Sequence, residues 1–347
     1  MIAEVAQLVE HLICNQGVGG SSPFFGTIII VFFNYLSLRS FKLKSFQNKV
    51  AVVTGAGSGM GRYLALNLAK EGCNVAICDI NSSSLKETEE LIKNYNISCS
   101  SHSLDLRDKN NIDILVKETL LNHGKVDLLF NNAGVVSPSS FLELKESDWD
   151  WCNDINFNSL VYCSRAFLPH LMKDEESALV NTSSIFGIIT TPNNTVYHAS
   201  KFAVRGFTES LAMELRDDPI QVNCVYPGHI GTNIVLDARF GNDILLTNGE
   251  YAKDTKGNSL TAQDVGATFK ESGMNPDKAA KIILKGVKKN KKRIFVGLDA
   301  KIMEIAQRLS PTHYIAIIPI LNLLIFPYFL KRMKMLKTFY SLLKAKR

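Results

Sequence analysis

The sequence predicts an α/β fold in which helices cover both faces of a doubly wound parallel sheet. Short runs rich in Val and Ile alternate with longer periodic segments between Lys49 and about Leu298, as in a chain of β–α units. The runs are continuously apolar, which is typical of strands that are buried on both faces. The first run leads into a glycine-rich loop that opens a helix-like segment.

Seven runs are strand candidates, so we predict a seven-stranded sheet in one domain over residues 48–298. They are VAVVTG, NVAICDI, ISCSSHSLDL, VDLLFNNAG, ALVNTSS, QVNCVYPG and RIFVG. Right-handed crossovers between parallel strands place the ligand crevice of such a sheet at the carboxyl ends of its strands.

The two ends of the chain do not continue this pattern. Residues 1–47 form an atypical extension in which Ala3–Pro23 resembles a peptide translated from a transfer-RNA gene, so we interpret it as an upstream extension of the reading frame. The apolar run Phe24–Leu38 is shorter than the roughly 20 residues of a membrane span, and an anchoring arm stays open as an alternative. Residues 299–347 contain the most apolar segment, Tyr314–Leu330, which prolines interrupt and basic residues follow. This pattern favours an interfacial helix, or a lid on the site or on a partner, over a full span.

The composition is that of a globular protein and excludes a disordered chain, with 46% hydrophobic and 21% charged residues. The formal net charge is +6, but the basic runs Lys285–Arg293 and Lys331–Lys334 contain no aromatic residues, so nucleic-acid binding is not predicted. The seven cysteines form no CxxC pair, which favours free thiols in a reducing compartment. No metal site is predicted. We expect a cytoplasmic protein and leave open a peripheral membrane contact through the apolar and basic C-terminal segment.

The loop TGAGSGMG, Thr54–Gly61, has the context of a Rossmann-type dinucleotide-binding turn, because it follows a strand and opens a helix. Gly55 permits the tight turn, Gly59 lets the backbone approach a pyrophosphate, and Gly61 allows close packing of the helix. The N-terminus of that helix favours the anionic phosphates.

Asp79 ends the second predicted strand, at the distance from the loop where a carboxylate accepts the ribose hydroxyls of an adenosine and repels a 2′-phosphate. Ser58 and Ile80 stand where a phosphate-binding base would sit, and neither is Arg or Lys. The sequence therefore predicts NAD in preference to NADP.

Further motifs follow in order along the chain. They are Asp105 and Leu106 at the end of the third strand, NNAG at Asn131–Gly134, Asn156, Ser184, the YHASK motif with Tyr197 and Lys201, and the PGxxxT pattern of Pro227, Gly228 and Thr232. Together with the TGxxxGxG loop, they resemble the short-chain dehydrogenase/reductase family over about residues 48–297. The resemblance implies an NAD(P)-dependent oxidoreductase that interconverts an alcohol and a carbonyl compound by hydride transfer.

The resemblance also implies site residues. The implied catalytic tetrad is Asn156, Ser184, Tyr197 and Lys201. The implied cofactor contacts are Thr54, Gly55, Ser58, Gly59, Met60, Gly61, Asp79, Asp105, Leu106, Asn132, Ala133, Gly134, Tyr197, Lys201, Pro227, Gly228, Ile230 and Thr232. In the family, the PGxxxT loop holds the carboxamide of the nicotinamide.

The chemistry of the tetrad agrees with this reading. Tyr197 and Lys201 are i and i+4, so both reach the same side of a helix. An ammonium beside a phenol favours the phenolate, which predicts a lowered pKa for Tyr197 and a role in exchanging a proton with the substrate. In the family, Ser184 would hydrogen-bond the reacting oxygen, and Asn156 would kink its helix and hold a water that relays protons from Lys201.

The substrate is not determined by the sequence. In the family, the polar stretch Ile234–Met274 closes over substrate. The apolar C-terminal segment suggests a lipophilic alcohol or ketone of the steroid, retinoid or long-chain type, with a small secondary alcohol as the alternative. A non-catalytic NAD(H) sensor and, as a minor option, an epimerase or lyase are the rival functions. The resemblance implies a homodimer or homotetramer through the helices that begin near Asp148 and Thr195.

Four further residues lie near the predicted site in the sequence or in the predicted fold. His198, beside Tyr197, is predicted to be structural, and packing is favoured over substrate contact for His229. Trp149 and Trp151 are predicted to pack at the start of a helix.

Overall fold

The computed structural model describes residues 43–173, 176–241 and 261–314. Several predictions therefore lie outside the described residues. These concern the extension up to residue 42, the central part of the predicted substrate segment at 242–260, and the apolar and basic end of the chain at 315–347.

Within the described residues, seven strands form one sheet in which every neighbouring pair is parallel. The strands are β1 Val50–Thr54, β2 Asn74–Asp79, β3 Cys99–Ser103, β4 Leu128–Asn131, β5 Ser177–Thr182, β6 Ile220–Pro227 and β7 Arg293–Val296. Their order is β3-β2-β1-β4-β5-β6-β7. The predicted doubly wound sheet is confirmed.

Helices follow the strands. They are α1 Gly59–Lys70, α2 Ser82–Ile92, α3 Lys109–His123, α4 Glu146–Asn153, α5 Ser159–Leu171, α6 Thr195–Glu214, α7 Ala262–Ser272, α8 Pro276–Lys288 and α9 Leu298–Leu309. Helices α1, α2 and α8 pack on one face of the sheet, and α3, α5 and α6 pack on the other. Successive strand residues point to opposite faces, so Ala51 and Val53 join one core and Val52 the other. Two cores therefore require strands that are apolar throughout.

The strand β3 is shorter than predicted. The predicted run continued to Leu106, but pairing with β2 ends at Ser103 opposite Asp79. The Asp105 side chain accepts a hydrogen bond from the backbone N–H of Arg107 at 3.0 Å, which starts a turn. Because β3 lies at the edge of the sheet, no second strand extends it.

The order of the strands positions the site. The chain runs outward from β1 through β2 to β3, and then crosses back to β4 on the other side of β1. The loops after β1 and β4 therefore diverge, and the crevice between them lies at the carboxyl ends of the strands. In the part of the chain that the structure describes, no helix has the length and apolar character that crossing a bilayer requires.

Candidate active site

The predicted site residues lie at the carboxyl ends of the central strands. The glycine-rich loop follows β1, the NNAG turn follows β4, and Ser184 follows β5. Tyr197 and Lys201 lie one turn apart near the start of α6. The PGxxxT loop follows β6. The structure thus brings segments that are far apart in the sequence to one edge of the sheet.

The glycine-rich loop is shaped as a dinucleotide cradle. Gly55 and Gly59 have φ values of 64° and 51°, a backbone region that glycine adopts without strain. A Cβ on Gly61 would overlap the carbonyl oxygen of Gly55 and lie 2.7 Å from Nδ2 of Asn132. A Cβ on Gly59 would lie 3.0 Å from the methyl group of Thr232. The missing side chains leave room for a pyrophosphate at the N-terminus of α1, so these residues fit the predicted cofactor.

Two residues that the sequence analysis missed hold this loop in place. The Arg62 side chain donates to the carbonyl oxygen of Gly57 at 3.0 Å, and the Thr88 hydroxyl donates to that of Ala56 at 2.9 Å. Arg62 also forms an ion pair with Glu87 at 2.8 Å. These bonds connect the carbonyl groups of the loop to α2. They also use the Arg62 guanidinium for contacts within the protein.

Asp79 lies beside the loop, as predicted. Its carboxylate accepts hydrogen bonds from the backbone N–H groups of Gly57 and Asn81, both at 2.9 Å. A second carboxylate, that of Asp237, lies close enough for repulsion: burial first, and then the charge of Asp79, raise the pKa of Asp237. Two acidic side chains therefore lie near the loop, at the end of β2 where the adenosine ribose is predicted to bind.

Thr54 and Asp105 make protein contacts that the sequence did not suggest. The Thr54 hydroxyl accepts from the backbone N–H groups of Asn132 and Ala133 at 3.0 and 3.1 Å. Thr54 thereby ties the NNAG turn to the end of β1. The Asp105 carboxylate is bound by the Arg107 guanidinium at 3.0 Å, which holds the pKa of Asp105 below its usual range.

The residues of the predicted catalytic tetrad come together around the end of β5. Lys201 is almost fully buried, and its ammonium donates to the carbonyl oxygen of Thr182 at 3.1 Å. The same ammonium lies 5.6 Å from the centroid of the Tyr197 ring. Ser184 lies close enough to the Tyr197 phenol to lower its pKa, and Phe186 packs edge-on against that ring at 6.2 Å.

Asn156 lies in a π-helical turn, Asp154–Asn158, between α4 and α5, so the predicted distortion of its helix is confirmed. Its side-chain amide accepts from the Val135 N–H at 2.8 Å and donates to the Val135 carbonyl at 2.9 Å. A further bond runs to the Ser200 hydroxyl at 3.1 Å. Protein atoms thus engage both the oxygen and the nitrogen of the amide, and the water that Asn156 is predicted to hold stays a prediction.

The prediction that the protein's own charged groups lower the pKa of Tyr197 is wrong. Burial raises the pKa of Tyr197 to about 12, and the hydrogen bond with Ser184 offsets only part of this shift. Burial also lowers the pKa of Lys201 to about 8. The sequence shows that the two residues are neighbours, but desolvation of both outweighs their proximity.

Lys201→Met is expected to stabilise the fold at neutral pH. The shift of the Lys201 pKa from 10.5 to about 8 corresponds to roughly 3 kcal/mol at about 1.4 kcal/mol per unit. Losing the bond to Thr182 offsets about 1 kcal/mol of this gain. The lysine is charged in the folded state only below its lowered pKa, so the gain is largest below about pH 8 and disappears above about pH 10.5.

Urea unfolding at about pH 7 and about pH 11 would measure this gain. Lys117→Met, at an exposed position of α3, is the control and should change the unfolding free energy by less than about 0.5 kcal/mol. Destabilisation of Lys201→Met at both pH values would contradict the expectation.

The two histidines near the site make protein contacts. The ring of His198 bonds the carbonyl of Phe186 at 3.1 Å and the N–H of Thr191 at 3.0 Å, as expected of a structural residue. The ring of His229 bonds the carbonyl of Phe269 at 2.8 Å. Over the described residues, no cluster of three or more His, Cys, Asp or Glu side chains could hold a metal ion.

The start of the predicted substrate segment is anchored to α4. The Arg239 guanidinium lies 4.0 Å from the centroid of the Trp151 ring and pairs with Asp148 at 3.1 Å. The Ser137 hydroxyl donates to the Arg239 carbonyl at 2.9 Å. Trp151 therefore packs against a segment distant in the sequence as well as within its own helix.

Comparisons with known proteins agree with this geometry. The short chain dehydrogenase family model matches residues 49–241. The Mycobacterium tuberculosis protein SadH, which is named as an oxidoreductase, is 34% identical over 277 residues, or 78% of this chain and 94% of SadH. The 3-oxoacyl-(acyl-carrier-protein) reductase FabG of Thermotoga maritima is 33% identical over 186 residues, or 54% of this chain and 76% of FabG. The crystal structure of a short chain dehydrogenase/reductase from Burkholderia phymatum in complex with NAD has a TM-score of 0.67 and 26% identity, and the match covers 77% of this chain and 95% of that one.

Proposed function

The chain belongs to the short-chain dehydrogenase family of oxidoreductases, and from this we propose that it interconverts an alcohol and a carbonyl compound with a nicotinamide cofactor. The observation that carries the proposal is the convergence of Ser184, Tyr197 and Lys201 beside the NNAG turn, which packs on the glycine-rich loop. A proton donor, a hydroxyl that can orient the reacting oxygen and a buried cation are then grouped together. A non-catalytic NAD(H) sensor does not require these groups.

Each residue has a role that follows from its position. Tyr197 exchanges a proton with the reacting oxygen, and Ser184 orients that oxygen through its hydroxyl. With its pKa at about 8, Lys201 is mostly protonated at neutral pH and places a positive charge 5.6 Å from the centroid of the Tyr197 ring. Asn156 fixes the backbone of Val135 through two hydrogen bonds. When bound, the nicotinamide cofactor accepts a hydride from the alcohol or supplies one to the carbonyl.

A panel of lipophilic and small alcohols and ketones, assayed with NAD(H) and NADP(H) through the absorbance of the reduced nicotinamide, would test the reaction. Turnover on any member supports the dehydrogenase. Cofactor binding without turnover on a broad panel would favour the sensor instead.

We further propose that the enzyme prefers NAD. Asp79→Ala is expected to lower the preference for NADH over NADPH by about 10- to 100-fold, because placing like charges side by side costs several kcal/mol and about 1.4 kcal/mol is tenfold. The ratio of the two dissociation constants, measured by fluorescence titration, reports this change. Asp113→Ala, at an exposed position of α3, is the matched control. A wild-type preference for NADPH would overturn the proposal.

We also propose a lipophilic substrate for a cytoplasmic enzyme that contacts membranes peripherally. The support is a stripe of exposed apolar side chains on α9, namely Leu298, Ile305 and Leu309, flanked by the exposed bases Lys301 and Arg308. Apolar and basic groups side by side are typical of helices that lie on anionic membranes.

Sedimentation with vesicles of anionic or neutral phospholipid would test this contact. Ile305→Asp should weaken binding to anionic vesicles, whereas Leu121→Asp, at an exposed position of α3, should not. Absence of binding, together with turnover of small polar alcohols only, would contradict both the membrane contact and the lipophilic substrate.

A homodimer or homotetramer is proposed from the family. In support, α6 exposes the apolar side chains of Phe202 and Met213. Light scattering of the wild type and Met213→Glu would test it, and a monomeric wild type would contradict it.

A further inference from the structure

We propose that Asp299 is a positioning residue that holds the PGxxxT loop in the shape required to bind the nicotinamide end of the cofactor. The inference deepens the proposed dehydrogenase function and rests on it. Residues 299–314 lie outside the region that the family model matches. The assignment therefore comes from the contacts of this chain.

The Asp299 carboxylate is seated against the loop. One of its oxygens accepts a hydrogen bond from the backbone N–H of His229 at 2.6 Å, a charge-assisted bond at the short end of the normal range. A Cβ on either Gly228 or Gly297 would overlap the carboxylate. Two glycines therefore make room for this side chain. Asp299 lies in the first turn of α9, where the helix dipole favours a negative charge.

Backbone bonds hold the rest of the loop. The N–H of Gly228 donates to the Val296 carbonyl at 2.9 Å. Beyond His229, Met274 pairs with the loop in both directions, since its N–H donates to the His229 carbonyl and its carbonyl accepts from Gly231, each at 2.9 Å. The His229 N–H lies between these backbone contacts and donates to the Asp299 side chain. Asp299 thus completes the support of the loop between Pro227 and Thr232.

The same C-terminal segment reaches a second wall of the site. Tyr314 is mostly buried, and its phenol oxygen accepts from the N–H of Thr190 and bonds the Thr190 hydroxyl, both at 2.9 Å. Thr190 lies on the stretch between Ser184 and Tyr197. The neighbouring Thr191 bonds the ring of His198, which is adjacent to Tyr197. The segment from Asp299 to Tyr314 therefore supports both the PGxxxT loop, called here the nicotinamide loop, and the stretch Ser184–Thr191, called here the serine loop.

A comparison of two ligands distinguishes a positioning role of Asp299 from a general disruption of the cofactor site. NADH reaches the PGxxxT loop, whereas ADP-ribose occupies the adenosine and pyrophosphate part of the site and carries no nicotinamide. Asp299→Ala is expected to weaken NADH binding about tenfold, because it leaves the His229 N–H without its acceptor. The affinity for ADP-ribose should stay within about twofold of the wild type. Calorimetric titration measures both affinities without any turnover, so a failure of the proposed reaction would not obscure the result.

The conservative variant and a control complete the experiment. Asp299→Asn retains an acceptor oxygen and should recover most of the NADH affinity, with a residual loss of about two- to threefold, since charged acceptors form hydrogen bonds roughly twice as strong as neutral ones. If Asp299→Ala does not fold, this smaller and NADH-selective loss carries the test. Glu304→Gln, which changes a carboxylate on the same helix that pairs with Arg308, should leave both affinities unchanged. Equal losses for NADH and ADP-ribose, or no loss for either, would overturn the inference.

Tyr314→Phe tests the second contact of the segment. It removes only the phenol oxygen and should lower kcat severalfold with the affinity for NADH unchanged, because the serine loop loses its bond while the nicotinamide loop keeps Asp299. An unchanged kcat would remove Tyr314 from the proposal.

Discussion

Tyr197→Phe is expected to lower kcat by about 10²- to 10⁴-fold, the range that a positioned general acid or base contributes. The affinity for NADH should stay close to that of the wild type. Phenylalanine retains the buried ring and its edge-on contact with Phe186, so the variant loses the hydroxyl and little else. Turnover and NADH titration on the same preparation separate the loss of proton transfer from loss of binding.

The control for this variant is Tyr162→Phe. Tyr162 lies on α5 with the Lys109 ammonium 4.3 Å from its ring centroid, away from the proposed proton path. The same loss of a phenol oxygen there should leave kcat unchanged. A Tyr197→Phe variant with more than about a tenth of wild-type activity would show that another group transfers the proton.

Gly61→Ala is expected to abolish measurable NADH binding and to lower stability by about 1–3 kcal/mol, the usual cost of overpacking. The added methyl group would overlap the carbonyl oxygen of Gly55 and approach the Asn132 amide. Because the overlapping oxygen belongs to the backbone, it cannot rotate away as a side chain would. Helix α1 must therefore shift away from the loop, and this shift deforms the phosphate-binding site. Thermal unfolding and NADH titration would measure the two effects.

Gly206→Ala is the control and is expected to stabilise the protein without affecting NADH binding. Gly206 lies in the middle of α6, and a Cβ there would meet no atom within 4 Å. Alanine should therefore stabilise the helix by up to about 1 kcal/mol and leave NADH binding unchanged. Wild-type binding by Gly61→Ala would mean that the cofactor does not depend on the close approach of α1 to the loop.

Much of the site could be predicted because its signals are local. The glycine loop combines a strand, a tight turn and a helix within a few residues, and Tyr197 and Lys201 share a helix face through their i and i+4 spacing. The supports of the site could not be predicted in the same way. Arg62 meets Thr88 from another helix, at 2.9 Å. Asp299 meets His229 across 70 residues of sequence. Neither pair has a spacing that any local rule describes.

The sequence by itself determined the fold class, the order of the strands along the chain and the candidates for the site, because the period of apolar residues and the spacing of motifs are properties of neighbouring positions. Only the tertiary structure decided the electrostatics. Both the sequence and the structure place Tyr197 and Lys201 next to each other. Burial nevertheless raises the pKa of Tyr197 and lowers that of Lys201. Burial depends on what packs around a side chain from distant elements. The i and i+4 spacing therefore predicts that the two side chains are close together. Their protonation states, in contrast, depend on how deeply the fold buries them.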